Sequence, residues 1–191
     1  MPVVVEIQGG DELRKFLGGI PAAQYKGARA AFSDAVLGAQ KEVLSHLSGN
    51  PMQTRSGTLA RSITPQVLGT DLTGLSGRIY TGVIYAPIHE TGGTVTAKRA
   101  YTGVPGGPYL NIPTSDNKTA AGVQRMTARQ VFDAGGYVFK AKSGNYAVGM
   151  DGKTMFILRK QVTIKPQLGM ETSADNQIQT LMSALQSMAL E

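Results

Sequence analysis

The chain has no cysteine and no tryptophan, and aromatic residues make up only 6% of its 191 residues. The missing cysteines exclude a disulfide framework and any metal site built on thiolates. No apolar run approaches the roughly 20 residues of a membrane-spanning helix. Residues 1–8 also lack the basic start and apolar stretch of a signal peptide. We therefore expect a cytoplasmic product with no membrane partner, held together by ordinary packing.

Hydrophobic residues form 41% of the chain. That share is enough for one sizeable core, and typical domains have roughly 100 to 200 residues. We therefore expect residues 1–191 to form a single domain. The 24 glycines and nine prolines predict that turns and loops make up a large part of it.

The net charge is +6 and the sequence pI is about 9.6. A basic balance of this kind is compatible with a nucleic-acid partner. The positive residues are scattered in pairs along the chain, however, and no cluster is interleaved with the stacking aromatics of a single-strand binder. The distribution favours a solvated or interface surface, with sparse phosphate contacts as the alternative.

A long helix is predicted near the start of the chain. Pro21 suits a first helical position, because its missing amide hydrogen would have no partner there, and Gly49 and Pro51 would end the helix. Gly27 and Gly38 each cost roughly 1 kcal/mol relative to alanine, so packing must hold it together. Its apolar face repeats at spacings of three and four residues: Phe32, Val36, Ala39, Val43 and Leu47.

A first group of strands should follow this helix. Residues 61–68 read as an edge strand, since Pro65 cannot donate to a ladder. Residues 75–85 alternate with the two-residue period of a half-buried strand. Residues 92–129 are polar and glycine-rich, with one short strand at 109–112. We expect 92–129 to be a long mobile loop that becomes ordered on a neighbouring subunit.

The second half of the chain reads as a meander followed by a helix. Strands are predicted at 137–142, 145–150 and 153–158, joined by Ser-Gly and Asp-Gly turns, and residues 159–164 extend or follow the last strand. A closing helix should begin near Ser173, capped by Thr172 or Ser173. The predicted fold class is α+β: mostly antiparallel sheet packed against a long N-terminal helix and a C-terminal helix, with a long flexible loop. The apolar stripe of the closing helix is Ile178, Leu181, Met182, Leu185 and Met188.

His89 and Glu90 are the most conspicuous candidates for chemistry. Adjacent strand positions point to opposite faces, so the two side chains are poorly placed to share a metal. A zinc site needs three or four ligands, and the other histidine, His46, lies on the first helix. We therefore predict that His89 is a polar turn residue fixing a strand exit, with no cofactor and no metal. A hydrolase using His89 and Glu90 is the distant alternative.

Three blocks occur in a fixed order along the chain. They are Tyr-Ala-Pro-Ile-His-Glu-Thr-Gly-Gly-Thr at 85–94, Leu-Asn-Ile-Pro at 110–113, and a basic block at 155–166 that contains Val-Thr-Ile-Lys-Pro. An earlier run, Arg-Ser-Gly-Thr-Leu-Ala-Arg-Ser-Ile at 55–63, resembles an R-T-G-x-L-x-x-S-I entry to a sheet. Together the blocks resemble the bacteriophage virion-morphogenesis and tail-completion proteins. The family usually continues V-T-I-P-A-R-P-F, whereas here Lys165 and Pro166 follow Ile164.

The resemblance implies a structural protein of the phage neck or tail top that joins tail to head, not an enzyme. It implies a homo-oligomeric ring, typically a hexamer, located in the virion and in the host cytoplasm during assembly. The implied partners are neck or connector proteins and the tail tube or tail terminator, with passing contact to DNA in the lumen. A nucleic-acid-binding module is the alternative. The interface candidates are Arg61, Ile63, Tyr85, His89, Glu90, Tyr109, Arg159 and Lys160.

Overall fold

The computed structural model describes residues 3–7, 11–49, 56–98, 104 and 106–189. It confirms the predicted α+β class, with 42% helix, 27% strand and antiparallel sheets. The single domain expected from composition stays a prediction; within the structure, the contacts group the chain into two compact units. Unit 1 is Met1–Gly92 with Lys165–Glu191, and unit 2 is Gly93–Ile164. Each unit has its own apolar cluster, a division that total hydrophobic content cannot reveal.

The elements of the two units are numbered in chain order. Unit 1 contains β1 Val3–Ile7, α1 Asp11–Gly19, α2 Tyr25–His46, α3 Thr58–Ser62, β2 Thr64–Leu68, β3 Ser76–Thr81, α4 Ala86–Thr91 and α6 Met170–Ala189. Unit 2 contains β4 Gly93–Thr96, β5 Leu110–Pro113, α5 Ala128–Asp133, β6 Tyr137–Lys140, β7 Tyr146–Met150, β8 Lys153–Arg159 and β9 Gln161–Ile164.

Unit 1 packs the predicted long helices against a three-stranded sheet of order β1-β3-β2. Along β3, every second residue is buried, as the predicted alternation requires. Helix α2 ends at His46 as predicted to within two residues, and a short 3-10 turn, Ala22–Gln24, separates it from Pro21. Pro51 lies outside the described residues. The largest fully buried side chains of this core are Phe32, Leu17, Ile79, Leu168, Met170, Leu181 and Leu185.

The two helical glycines lie where α6 passes α2. A Cβ added at Gly27 would lie 3.3 Å from the sulfur of Met188, and one at Gly38 would overlap the side-chain amide of Gln177. The glycines that weaken α2 in isolation therefore allow the two helices to approach closely. The predicted apolar stripe of α6 faces this core, with Leu181 buried and its methionines partly buried.

Unit 2 contains a four-stranded antiparallel sheet of order β5-β8-β7-β6 and a separate two-stranded sheet, β4-β9. The three predicted meander strands are confirmed. Gly144, Asp151 and Gly152 have positive φ values of 80°, 51° and 73°, as tight hairpin turns require. The core of this unit includes Val131 from α5, with Val148, Phe156 and Leu158 from the sheet.

The segment 92–129 is not one long loop, although Gly103 and Pro105 lie outside the described residues. It contains β4 and β5, and β5 pairs with β8. Farther on, Asn117 is fully buried. Its side-chain nitrogen donates to the Met126 carbonyl at 2.8 Å, and its side-chain oxygen accepts from the Met126 amide at 2.9 Å. Glycine density misled the prediction, because pairing with a strand 40 residues away is not a local signal.

Candidate functional site

The His89-Glu90 pair lies on a helix, not at the exit of a strand. Strand β3 ends at Thr81, and α4 then forms with a proline in its first turn, where a missing amide hydrogen costs nothing. The prediction of one strand over 75–85 with a polar turn after it is therefore wrong beyond Thr81. Helix α4 aims the Glu90 side chain and the His89 carbonyl at the start of α6.

Glu90 caps helix α6. One carboxylate oxygen accepts from the Met170 amide at 2.9 Å, and the other accepts from the Glu171 amide at 2.9 Å. First-turn amides have no partner inside their own helix, and a negative charge is favourable at the positive end of the helix dipole. The predicted cap from Thr172 or Ser173 is wrong: α6 begins at Met170, and Ser173 is buried inside its first turn.

His89 holds the same segment through its backbone. Its carbonyl accepts from the amides of Gln167 and Leu168 at 2.7 and 2.9 Å. Its ring meets Tyr85 edge-on, with centroids 6.0 Å apart. Burial lowers the pKa of His89 below its ordinary value of 6.5, and Nδ1 has no hydrogen-bond partner among the described residues. These contacts favour a neutral imidazole at pH 7.

His46 contacts this segment from helix α2. Its Nδ1 lies 3.1 Å from the Leu168 carbonyl. Thus two elements hold residues 167–171, which follow the block at 155–166. They are α4, which comes from the block at 85–94, and helix α2. The second block also pairs with the third, since β5 lies beside residues 156–159 of β8. The motif blocks that are separate in sequence therefore contact one another within the units.

The other interface candidates differ in accessibility. Tyr85 is 46% exposed, and its neighbour Ile84, which the sequence analysis did not select, is 89% exposed. Ile63 is buried in the unit 1 core, so its side chain is not exposed at the surface of that unit. Tyr109 is half-buried and packs on Tyr146, with ring centroids 6.0 Å apart.

The three basic candidates are all exposed. Arg61 donates to the Ser56 carbonyl at 3.0 Å, and Arg159 donates to the Asn145 side chain at 3.2 Å. The Lys160 carbonyl accepts from the Ala97 amide at 3.0 Å. Arg61 therefore lies in unit 1. Arg159 ends β8 and Lys160 links β8 to β9 in unit 2, so the three residues do not form one patch within a unit.

The predicted edge strand at 61–68 begins later, because its first residues form α3 and β2 starts at Thr64. Strand β2 is an edge of its sheet, but side chains from helix α2 cover its outer carbonyls. Gln40 donates to the Ile63 carbonyl at 2.8 Å, and Arg29 donates to the Val67 carbonyl at 3.5 Å. Pro65, between them, has no amide hydrogen. Strand addition at β2 would have to displace these contacts.

Unit 1 has an open cavity of about 500 Å³ beside the β2-β3 loop. At its rim, the Asp71 carboxylate accepts from the Gly74 amide at 2.7 Å and from the Thr73 hydroxyl at 2.9 Å, and these bonds hold the pKa of Asp71 below its usual value. The carboxylate thus shapes the loop. The lining contains no histidine and no basic side chain: Leu17, Gly18, Ile20, Ala22, Tyr25, Thr70, Asp71, Leu72 and Thr73.

In the described parts of the chain, no three histidine or acidic side chains lie together as metal ligands would. No helix among the described residues has the length and apolarity to cross a membrane. The candidate site therefore consists of two features: the contacts that Glu90 and His89 make with residues 167–171, and the pairing of the motif-block strands.

The net positive charge of the chain comes from unit 2 alone. Ten basic and three acidic residues fall in unit 2, which leaves a net charge of +7, whereas unit 1 has nine basic and ten acidic residues and a net charge of −1. The net charge of the whole chain, +6, does not show this uneven distribution. Charge counted per domain is the signal that reveals it.

Comparison of the chain with protein-family models, with curated proteins and with solved structures finds no match. The resemblance to phage tail-completion proteins therefore rests on the motif blocks of the sequence alone.

Proposed function

We propose that this chain is a structural subunit of a phage neck or tail top, which joins tail to head as a ring. One observation carries the proposal: the family-like blocks form the contacts that fix the architecture of the chain. Block 85–94 supplies α4, whose Glu90 caps α6, and block 110–113 pairs with block 155–166. Function here means shape and adhesion.

His89 and Glu90 make contacts that stabilise the fold. Both carboxylate oxygens of Glu90 accept helix amides at 2.9 Å, and the ring of His89 lies against Tyr85. A hydrolase would need its acid and base within hydrogen-bond reach of each other or of a substrate. An acid occupied in capping a helix, beside a partly buried histidine, supports an architectural role over the hydrolase alternative.

The charge division suits a protein that sits beside DNA. A unit with net charge +7 attracts phosphates without reading sequence, which fits duplex DNA passing through a lumen. In a closed ring every subunit presents two different surfaces to its neighbours. The proposed partners are further copies of this chain, neck or connector proteins on the head side, and the tail tube or tail terminator on the other.

Removing the gene from the phage genome that encodes the chain tests the proposal. Electron microscopy of the lysate should show filled heads and separate tails, because the joint is missing and neither part is. The wild-type gene supplied from a plasmid should restore joined particles. Normal infectious particles in the deletion lysate would refute a joining role.

The charge of unit 2 also favours the second candidate, a nucleic-acid-binding module. Fluorescence anisotropy with labelled duplex DNA over a series of salt concentrations separates the two. A neck subunit should bind weakly and without sequence preference, and its affinity should fall steeply with salt. Tight binding that survives physiological salt and depends on sequence would favour the module.

A further inference from the structure

The two-stranded sheet of unit 2 is incomplete as a sheet. Strands β4 and β9 pair antiparallel, with Gly93 opposite Ile164 and Thr96 opposite Gln161. All four residues of β4 are exposed. A two-stranded sheet on its own is only marginally stable, and a third strand or a packed face normally supports it. We call this pair of strands the ribbon.

The outward-facing backbone of the ribbon can be read from one hydrogen bond. The Ala97 amide donates to the Lys160 carbonyl at 3.0 Å, and these residues are directly opposite in the extended register. Hydrogen-bonded and non-bonded pairs alternate in an antiparallel ladder, so residues 95 and 93 also bond inward. Thr94 and Thr96 therefore direct their amides and carbonyls outward. The hydroxyls of Thr94 and Thr163 lie 3.1 Å apart, as expected for a non-bonded pair.

The same reasoning places Gln161 and Thr163 on the outer edge of β9. Each edge of the ribbon thus offers two residues with outward backbone groups. Their side chains are exposed and uncharged, and neither strand contains proline. Edges of this kind are normally protected against strand addition.

Three of the four edge strands of the larger sheets, β2, β5 and β6, have such protection. On β2, Pro65 and the side chains of Arg29 and Gln40 occupy the outer edge. On β5, the Thr114 amide donates inward to the Met155 carbonyl, so Pro113 faces outward. On β6, the Ala141 amide donates inward to Asn145, which places Lys140 on the outer edge. Among the described residues, 93–96 and 161–164 carry none of these devices, which marks the two strands as a pairing surface.

We propose that the β4 edge of one copy pairs with the β9 edge of a second copy, so that the ribbons of successive copies form one continuous antiparallel sheet. The two edges differ, are four residues long, and each present two outward residues, as a head-to-tail contact requires. Repeated around a closed ring, this pairing leaves no open ribbon edge. The ring rests on the proposed function, whereas the contact between two copies does not.

The side chains agree with this pairing. The hydrogen-bonded positions place Val95, Val162 and Ile164 on one face of the ribbon, while Thr94, Thr96 and Thr163 lie on the other. A third and fourth strand from neighbouring copies would extend both faces without placing a charge in either.

The chain lacks cysteine, so single-cysteine variants test the contact without background. Thr94→Cys and Thr96→Cys label the β4 edge, and Gln161→Cys and Thr163→Cys label the β9 edge. Opposed residues in hydrogen-bonded pairs have Cα atoms about 5.5 Å apart, within disulfide range. Each β4 variant is mixed with each β9 variant at high concentration and oxidised. We expect a mixed disulfide dimer in at least one of the mixtures, exceeding the dimer of either variant alone.

Thr64→Cys is the matched control, since Thr64 is an exposed strand threonine on the covered β2 edge. It should give no mixed disulfide with either set of variants. The inference is overturned if no β4–β9 mixture cross-links above this control, or if only identical variants pair, because that result indicates a two-fold contact.

A proline pair gives a second test. Thr96→Pro removes an outward amide and leaves the ladder within the chain intact, whereas Val95→Pro removes an inward one. Thr96→Pro combined with Thr94→Cys should lose the mixed disulfide and keep the wild-type melting temperature. Val95→Pro should lower that temperature. Mixed disulfides that persist in the Thr96→Pro variant would exclude this edge as the contact.

The outcomes separate this contact from the proposed function. Mixed disulfides from a protein that is absent from virions would uphold the contact and refute the neck role. A protein present at the neck whose ribbon variants never cross-link would uphold the neck role and refute the contact.

Discussion

Replacing Glu90 with alanine should destabilise unit 1 by removing the cap of α6. In the native chain, the Glu90 carboxylate oxygens lie 2.9 Å from the Met170 and Glu171 amides. The substitution removes both acceptors. Loss of a helix N-cap costs about 0.5–2 kcal/mol, and loss of a charge at the helix terminus costs about 0.3–1 kcal/mol. We therefore expect a loss of about 1–3 kcal/mol in the free energy of unfolding, measured by urea denaturation with far-UV circular dichroism.

Glu171→Ala is the control for this prediction, because Glu171 is an exposed acid in the same first turn. It removes a charge near the helix terminus but not the carboxylate that accepts the two amides, so it should cost less than about 1 kcal/mol. Glu90→Gln should fall between the two, since one amide oxygen remains as an acceptor. Equal effects of Glu90→Ala and Glu171→Ala would refute the cap and reduce Glu90 to a surface charge.

Three other substitutions test separate features. Gly69→Ala should destabilise unit 1 by about 1–3 kcal/mol in urea, since Gly69 has a φ of 100° and a Cβ there would overlap the Gly74 carbonyl; Gly144→Ala, with positive φ but open space, should cost less. Asn117→Ala should cost about 1–3 kcal/mol by leaving the Met126 amide unpaired, while the Met126 carbonyl keeps the Gln124 side chain as a donor; an unchanged midpoint would show that the Asn117 hydrogen bonds do not contribute to stability. His89 has a lowered pKa, so the unfolded state binds more protons below pH 6.5 and stability should fall as the pH drops through that value. In His89→Gln, the free energy of unfolding should depend less on pH near 6.5 than in the wild type. The same pH dependence in both proteins would exclude His89 as the cause.

Local signals predicted the parts of the fold that local contacts determine. The three-and-four spacing from Phe32 to Leu47 found α2, and the Ser-Gly and Asp-Gly pairs found the hairpins of unit 2. The start of α6 was missed because its cap, Glu90, lies 80 residues away from Met170. The ordering of 114–129 was missed because it depends on side-chain hydrogen bonds from Asn117 to the backbone of Met126 and on the Thr114 amide donating to the Met155 carbonyl of β8.

The candidate site was predicted in its residues but not in their roles. His89 and Glu90 were selected for being unusual side chains, yet a sequence pattern cannot show that a carboxylate faces two helix amides rather than a substrate. The β2 edge was identified through Pro65, but the covering contacts come from Arg29 and Gln40 on α2. The unprotected ribbon was not anticipated, because its strands are 68 residues apart.

The proposed neck role is tested most directly by imaging purified particles that are produced from the genome encoding this chain. A cryo-electron microscopy reconstruction of the region between head and tail, combined with labelling by an antibody against the chain, would locate the protein. The proposal predicts a closed ring of copies at the neck or tail top, with unit 2 toward the DNA. Virions that contain no copy of the chain, or that carry it away from the junction, would contradict it.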